Sequence, residues 1–315
     1  MVLISTITIC LTHFLPLVLS FQLISQSLYD DLVAYAHLMD IAYCISHISK
    51  IQPPFQCDND CSDFPQTQVI QQWTSDEFTL SSSNFPTTGY LAINHDMKLI
   101  ILGLRGTRSF KDTIIDINTD MLLLNDVCVG CKIHKGFYYS FLKTWNIISI
   151  ELVNLINQYP DYKILIMGHS LGGAIALLLG MKTLEFNKTL LVITMGQPKI
   201  GNLVLTRHLD QLFGINTDQF NLDGKLIRVT HKNDPVVKLP ISDNYFIFDR
   251  YSHCSNEVFI DEEYNHGALP DLNNILLCDG AEDIQCSYGM SFTRDNTEHL
   301  DYFRTMGKCG VSLIT

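Results

Sequence analysis

Tyr162-Lys163-Ile164-Leu165-Ile166-Met167-Gly168-His169-Ser170-Leu171-Gly172-Gly173-Ala174-Ile175-Ala176 is the stretch on which the reading of this chain turns. Ile164 to Met167 is a short apolar run without alternation, as in a parallel strand covered on both faces. From Leu171 onward the residues are small and helix-forming. Between them, Gly168-x-Ser170-x-Gly172 has the spacing of a nucleophile elbow, with glycines two before and two after the serine leaving room for a strained turn. The turn lifts one hydroxyl above the sheet and aims the first amides of the helix at the same point.

Outward from this unit, the order after Cys131 is helix (136–158), strand (162–167), helix (171–184), strand (190–195), helix (202–212) and strand (225–230). Such alternation builds right-handed crossovers and a parallel sheet, with functional residues beyond the carboxyl ends of the strands. Upstream, strand-like runs at 68–73, 77–80, 88–94 and 97–104 are separated by short turn signals and read as an antiparallel meander. A helix is expected over Ser27 to Ser46, opening with Ser27 and Asp30 in capping-box spacing and ending at Cys44.

The 315 residues are 47% hydrophobic and 17% charged, enough for one large core, and no linker divides them, so residues 21–315 are read as one domain. A formal charge of −12, without any concentration of Lys and Arg, argues against nucleic acid as a partner. Met1 to Ser20 carries no charged residue, is mostly apolar and resembles a secretory signal ending at Ser20, although no basic residue follows Met1. His13 and Pro16 interrupt it and argue against a membrane-spanning helix. Its removal leaves nine of the ten cysteines, as in a secreted, disulfide-bearing protein with one thiol over. Cys57 and Cys61, Cys128 and Cys131, and Cys278 and Cys286 are close enough to clip their own loops. No second ligand pair follows Cys128-x-x-Cys131, so no zinc site is expected. Asn187-Lys188-Thr189 is a glycosylation sequon between a helix and a strand.

A serine hydroxyl needs a histidine to take its proton and a buried carboxylate to orient that histidine. On this type of sheet the chain order is Ser, Asp or Glu, then His. Asp234, in Thr230-His231-Lys232-Asn233-Asp234-Pro235-Val236, ends a strand on the correct side and is the candidate acid. His253, His266 and His299 all follow it, and order alone does not choose among them.

Seven segments in one order are similar to the fungal-type class 3 lipases, the family of triacylglycerol lipases and feruloyl esterases. They are Ala42-Tyr43-Cys44, Leu104-Arg105-Gly106-Thr107, Cys131-Lys132-Ile133-His134-Lys135-Gly136-Phe137, Gly168 to Gly173, Gly196 to Asn202, Asn233 to Val236 with Leu239-Pro240, and His299-Leu300-Asp301-Tyr302-Phe303 before Cys309. The resemblance covers nearly all of 21–315. It implies an α/β-hydrolase: a central, mostly parallel sheet with antiparallel N-terminal strands, helices on both faces and a short lid helix. It makes His299 the base, with Ser170 as nucleophile and Asp234 as acid, and leaves His253 as a structural neighbour. It gives the oxyanion donors as Thr107, by backbone amide and hydroxyl, and the amide of Leu171.

Ser109 to Ile117 corresponds to the family's lid, where Phe110, Ile114 and Ile117 share one face of a short amphipathic helix. Thr113 stands where many family lipases carry tryptophan, which keeps a more polar, esterase-like behaviour open. The resemblance pairs Cys44 with Cys309, Cys57 with Cys61, Cys128 with Cys131 and Cys278 with Cys286, leaving Cys254 free. The expected activity is a secreted triacylglycerol lipase working through an acyl-enzyme, monomeric, in contact with a lipid surface through the lid and requiring no metal or organic cofactor. A feruloyl-type esterase and a non-catalytic lipid-binding homologue are the alternatives.

Overall fold

The structure is a computed structural model that describes residues 22–58, 60–74, 86–107, 119–186, 189–241, 250–295 and 297–311. The lid residues Phe110, Ile114 and Ile117, the sequon residue Asn187, the strand expected at 77–80 and the leader 1–20 lie outside them.

Among the described residues nine strands form one sheet. In chain order they are β1 (Gln22–Leu23), β2 (Thr67–Thr74), β3 (Thr88–Asn94), β4 (Leu99–Leu104), β7 (Lys163–His169), β8 (Leu190–Met195), β10 (Leu226–His231), β12 (Glu257–Ile260) and β13 (Ile275–Leu277). Their spatial order is β1-β13-β12-β10-β8-β7-β4-β3-β2. The five central strands β4, β7, β8, β10 and β12 are parallel, and the outer pairs are antiparallel. A smaller antiparallel sheet joins β5 (Met121–Leu123), β6 (Lys132–His134), β9 (Gly201–Asn202) and β11 (Tyr251–Ser252).

Side chains along each strand point alternately to the two faces. Ile100, Leu102, Leu104, Ile164, Ile166 and Val192 pack beneath helices α2 (Lys135–Gln158), α3 (Leu171–Thr183) and α4 (Leu203–Phe213). Ile101, Leu165, Met167, Ile193, Val229 and Val258 meet helix α1 (Gln26–Ile41) and the C-terminal residues Tyr302, Phe303 and Met306 on the other face. This two-sided burial is why the central strands lack alternation. Helix α3 has no polar stripe because sheet and neighbouring helices enclose it. A methyl placed at Gly180 would come within 2.4 Å of Val192 Cγ2, so the helix lies against β8 at glycine distance.

Some boundaries differ from the sequence expectation. Helix α1 starts at Gln26, capped by Ser25, whose hydroxyl accepts from the Leu28 amide at 3.3 Å, and not by Ser27 with Asp30. Asp30 instead accepts from the Gln26 side chain. The α-helix stops at Ile41, and Ala42–Cys44 tighten into a 3₁₀ turn that brings Tyr43 and Cys44 into the core. Strand β4 begins at Leu99, because Met97 donates its amide to Asn94 in the preceding turn and Lys98 takes a positive φ of 50°.

All four expected disulfides form, and among the described residues Cys254 is the free, buried cysteine. Cys44–Cys309 closes a span of 265 residues and ties the end of α1 to the C-terminal segment. Between β10 and β12 a buried ion pair joins Arg228 to Glu257 at 3.2 Å. Thr230 and the Ser287 amide donate to the same carboxylate, and Arg228 Nε donates to the Cys254 carbonyl. Among the described residues no helix is long and apolar enough to cross a membrane.

Candidate active site

Ser170 follows the last residue of β7 and adopts φ 59°, ψ −128°, a conformation that costs a non-glycine residue of order 1–3 kcal/mol. Its surroundings hold it there. Its amide donates to the Met195 carbonyl at 2.9 Å, extending the β7–β8 pairing by one bond. A Cβ at Gly168 would fall 2.1 Å from the Gly172 carbonyl oxygen, and one at Gly172 would fall 2.6 Å from that of Leu104. Only hydrogen at both positions lets the strand, the turn and α3 close together.

The segment after β4 passes beside the serine: a Cβ at Gly106 would lie 2.8 Å from Ser170 Cβ and 3.1 Å from its Oγ. Thr107 follows at once and is partly exposed. Leu171 opens α3, so its amide sits at the positive end of that helix.

Asp234 lies three residues beyond the end of β10, buried, and its carboxylate receives three donors. His299 Nδ1 is 2.8 Å from Oδ2 and 2.9 Å from Oδ1, the Tyr302 hydroxyl is 2.5 Å from Oδ2, and the Val236 amide is 2.8 Å from Oδ1. Burial alone would raise the pKa of Asp234, but the His299 ring and these donors outweigh it and hold it below the ordinary carboxylate value. Tyr302 is pushed well above its ordinary value by burial first, and then by the Asp234 charge. A carboxylate only accepts, so His299 carries its proton on Nδ1 and Nε2 is the basic nitrogen. Gly196, past β8 with φ 61°, leaves room for this pair: a Cβ there would meet His299 Cε1 at 2.8 Å and Asp234 Oδ2 at 3.1 Å.

The three candidate histidines separate cleanly. His253 is buried, with Nε2 2.7 Å from the Val237 carbonyl, and burial followed by the charge of Arg228 lowers its pKa well below the usual value. His266 is exposed beside Tyr264. Only His299 meets Asp234. The His299 ring also lies against that of His169, the neighbour of Ser170, with centroids 4.5 Å apart.

Three residues around this cluster carry contacts that sequence reasoning did not assign. Tyr302 shares the Asp234 carboxylate, and His169 and Tyr43 are hydrogen-bonded to each other at 2.6 Å. Each stands inside a segment already singled out, and each had only a motif position to mark it. Possible metal-ligand groups among the described residues are weak. Two include cysteines committed to disulfides, and in the third, His37 with Asp60 and Asp63, Asp60 is paired to Arg304.

A largely parallel sheet with a strained serine after one of its central strands, a buried aspartate past a later strand and a histidine on that aspartate defines an α/β-hydrolase. The family described as Lipase (class 3) matches residues 101–244. Secreted mono- and diacylglycerol lipase 2 of Gibberella zeae is 31% identical, over 84% of this chain and 70% of its own length. The crystal structure of Lip2 lipase from Yarrowia lipolytica superposes with a TM-score of 0.81 at 36% identity, over 93% of this chain and 98% of that one. The lipase of Rhizopus microsporus var. chinensis gives 0.74 at 26% identity, over 98% and 100%. The chain belongs to the class 3 lipase family and is a carboxylic ester hydrolase.

Proposed function

We propose that this protein is a secreted lipase that hydrolyses acylglycerols through a serine acyl-enzyme. The observation that carries the reading is the Asp234 carboxylate holding His299 through Nδ1, at the same end of the sheet as the strained Ser170. Ser170 attacks the ester carbon while His299 Nε2 accepts its proton. The oxyanion that forms accepts hydrogen bonds from the amides of Thr107 and Leu171. Each such donor is typically worth about 10² to 10³ in turnover, because the charge it meets exists only in the tetrahedral state. His299 then protonates the departing glycerol oxygen. Water, deprotonated by the same imidazole, attacks the acyl-enzyme and releases the fatty acid. Asp234 stays ionised throughout, orienting the ring and stabilising its positive form.

The lid reading of Ser109 to Ile117 adds activation at an oil-water interface. Each large apolar side chain it exposes in water costs at most about 1.5 to 3 kcal/mol, a cost that largely vanishes against lipid. Met1 to Ser20 acts as the secretory leader, Asn187 carries a glycan, and the mature chain works as a monomer without a metal or cofactor. The Gibberella relative's name favours partial glycerides alongside triacylglycerol.

Ser170→Ala is expected to abolish both labelling by a fluorophosphonate probe and hydrolysis. Asp234→Asn is expected to retain labelling at a rate lowered on the order of 10⁴. Labelling of Ser170→Ala at the wild-type rate would overturn the mechanism. Rates on tri-, di- and monoacylglycerol emulsions, a short soluble ester and a feruloyl ester, below and above solubility, decide the substrate class. A rise above the solubility limit on glycerides is expected, and a preference for the feruloyl ester with no such rise would overturn the lipase reading.

A further inference from the structure

Tyr43 and His169 lie buried between the three chain segments that supply the proposed machinery. Tyr43 sits in the 3₁₀ turn after α1, beside the cysteine bridged to Cys309. His169 ends β7 immediately before Ser170. The Tyr43 hydroxyl is 2.6 Å from His169 Nδ1, His169 Nε2 is 2.8 Å from the His299 carbonyl oxygen, and the Gly106 amide points to the Tyr43 oxygen at 3.3 Å. The Arg105 guanidinium carbon stands 5.9 Å from the centre of the Tyr43 ring, and Arg105 Nη1 donates to the Gly106 carbonyl at 2.8 Å.

Every direction in this series follows from chemistry. The His299 carbonyl only accepts, so His169 carries its hydrogen on Nε2. Burial, and then the neighbouring His299 ring, lower the pKa of His169 to about 3, so the imidazole is neutral and its Nδ1 accepts. Tyr43 therefore donates to Nδ1, and its oxygen is left to accept from Gly106. The series starts on a backbone N–H and ends on a backbone carbonyl. The first belongs to the residue before Thr107, which packs against Ser170, and the second belongs to the candidate base.

We propose that Tyr43 and His169 are positioning residues for the reaction, setting the backbone of the oxyanion segment and of His299 relative to Ser170. This rests on the reading of Ser170, Asp234, His299 and Thr107 given above. Neither side chain is assigned a contact with substrate. They act by holding two backbone segments, at Gly106 and at His299, to the residue beside the nucleophile. Displacements of about 1 Å in such an arrangement cost about 10²-fold in rate while leaving ground-state binding alone.

The test uses the full-length protein and a short soluble p-nitrophenyl ester, with reactive sites counted by fluorophosphonate titration so that misfolded molecules drop out. Tyr43→Phe is expected to lower kcat about 10- to 10²-fold, with KM within about twofold of wild type. His169→Leu should do the same, and His169→Gln, whose amide can still donate to the His299 carbonyl, should recover part of the loss. Tyr43→Phe combined with His169→Leu should cost little more than the worse single change, because one series is broken only once.

Tyr90→Phe is the structural control. Its equally buried hydroxyl donates to the Leu38 carbonyl at 2.7 Å, in helix α1, and its loss should lower stability with kcat unchanged. A wild-type kcat in Tyr43→Phe, additive losses in the double variant, or an equal loss in Tyr90→Phe would each overturn the proposal. If Ser170→Ala is inactive while Tyr43→Phe matches wild type, the proposal alone falls. If Ser170→Ala stays active, the mechanism and the proposal fall together.

Discussion

His169 has a consequence for stability as well as geometry. It stays neutral in the folded protein down to about pH 3, whereas the unfolded chain protonates it near its ordinary 6.5. Between those values the unfolded state binds more protons, so stability falls as pH falls through the window and levels off below it. The limiting slope is about 1.4 kcal/mol per pH unit for one such group. His253, also lowered by burial, adds in the same direction. Urea unfolding between pH 6.5 and 4.5 should therefore show a shallower loss of stability in His169→Gln than in wild type, by about one proton. Equal slopes would mean that the imidazole is charged or solvated in the native state. The same residue shows the limits of a motif: its place in Gly168-His169-Ser170 marks it, and only its partners at positions 43 and 299 say why.

Helix α3 was legible in sequence as small and apolar, and its closeness to the strands explains that composition. Two of its glycines answer different neighbours. At Gly180 a Cβ would meet the Val192 methyl at 2.4 Å and the Phe213 ring at 3.2 Å, groups that can shift. At Gly172 it would meet the Leu104 carbonyl at 2.6 Å and Arg105 backbone carbon at 2.8 Å, which are held by sheet pairing and lead directly to Thr107. Gly180→Ala is expected to cost about 1–3 kcal/mol in urea unfolding with kcat per titrated site retained. Gly172→Ala is expected to lower kcat per site as well. Wild-type kcat in Gly172→Ala would separate the oxyanion segment from the helix start. At the other end of the chain, the Ser27–Asp30 spacing pointed to a cap that Ser25 supplies. A serine stands at both 25 and 27, so two nearby registers offer an N-cap, and the helix that buries Leu28, Leu32 and Met39 in the core uses Ser25.

Across the molecule, the Cys44–Cys309 bridge anchors the segment that carries His299 and adjoins Tyr43. A loop of this length is worth roughly 5 kcal/mol on the chain-entropy model. Cys309→Ser is therefore expected to lower activity per folded molecule before it lowers yield, and equal specific activity per titrated site would contradict this. By itself the sequence determined the strand-turn-helix unit at Ser170, the alternation that builds the parallel sheet, and the place of Asp234 past a strand end. Each is written in a run of neighbouring residues, where hydrophobic period, glycine spacing and strand ends act locally. Only the tertiary structure puts His299, of the three later histidines His253, His266 and His299, on the Asp234 carboxylate, and gathers Tyr302, Tyr43 and His169 around that pair. Asp234 and His299 are 65 residues apart, and Tyr43 and His169 are 126 apart, so no local periodicity relates them. Their partners are chosen where the carboxyl ends of β4, β7, β8 and β10 converge, and buried polar groups there must find donors and acceptors in one another.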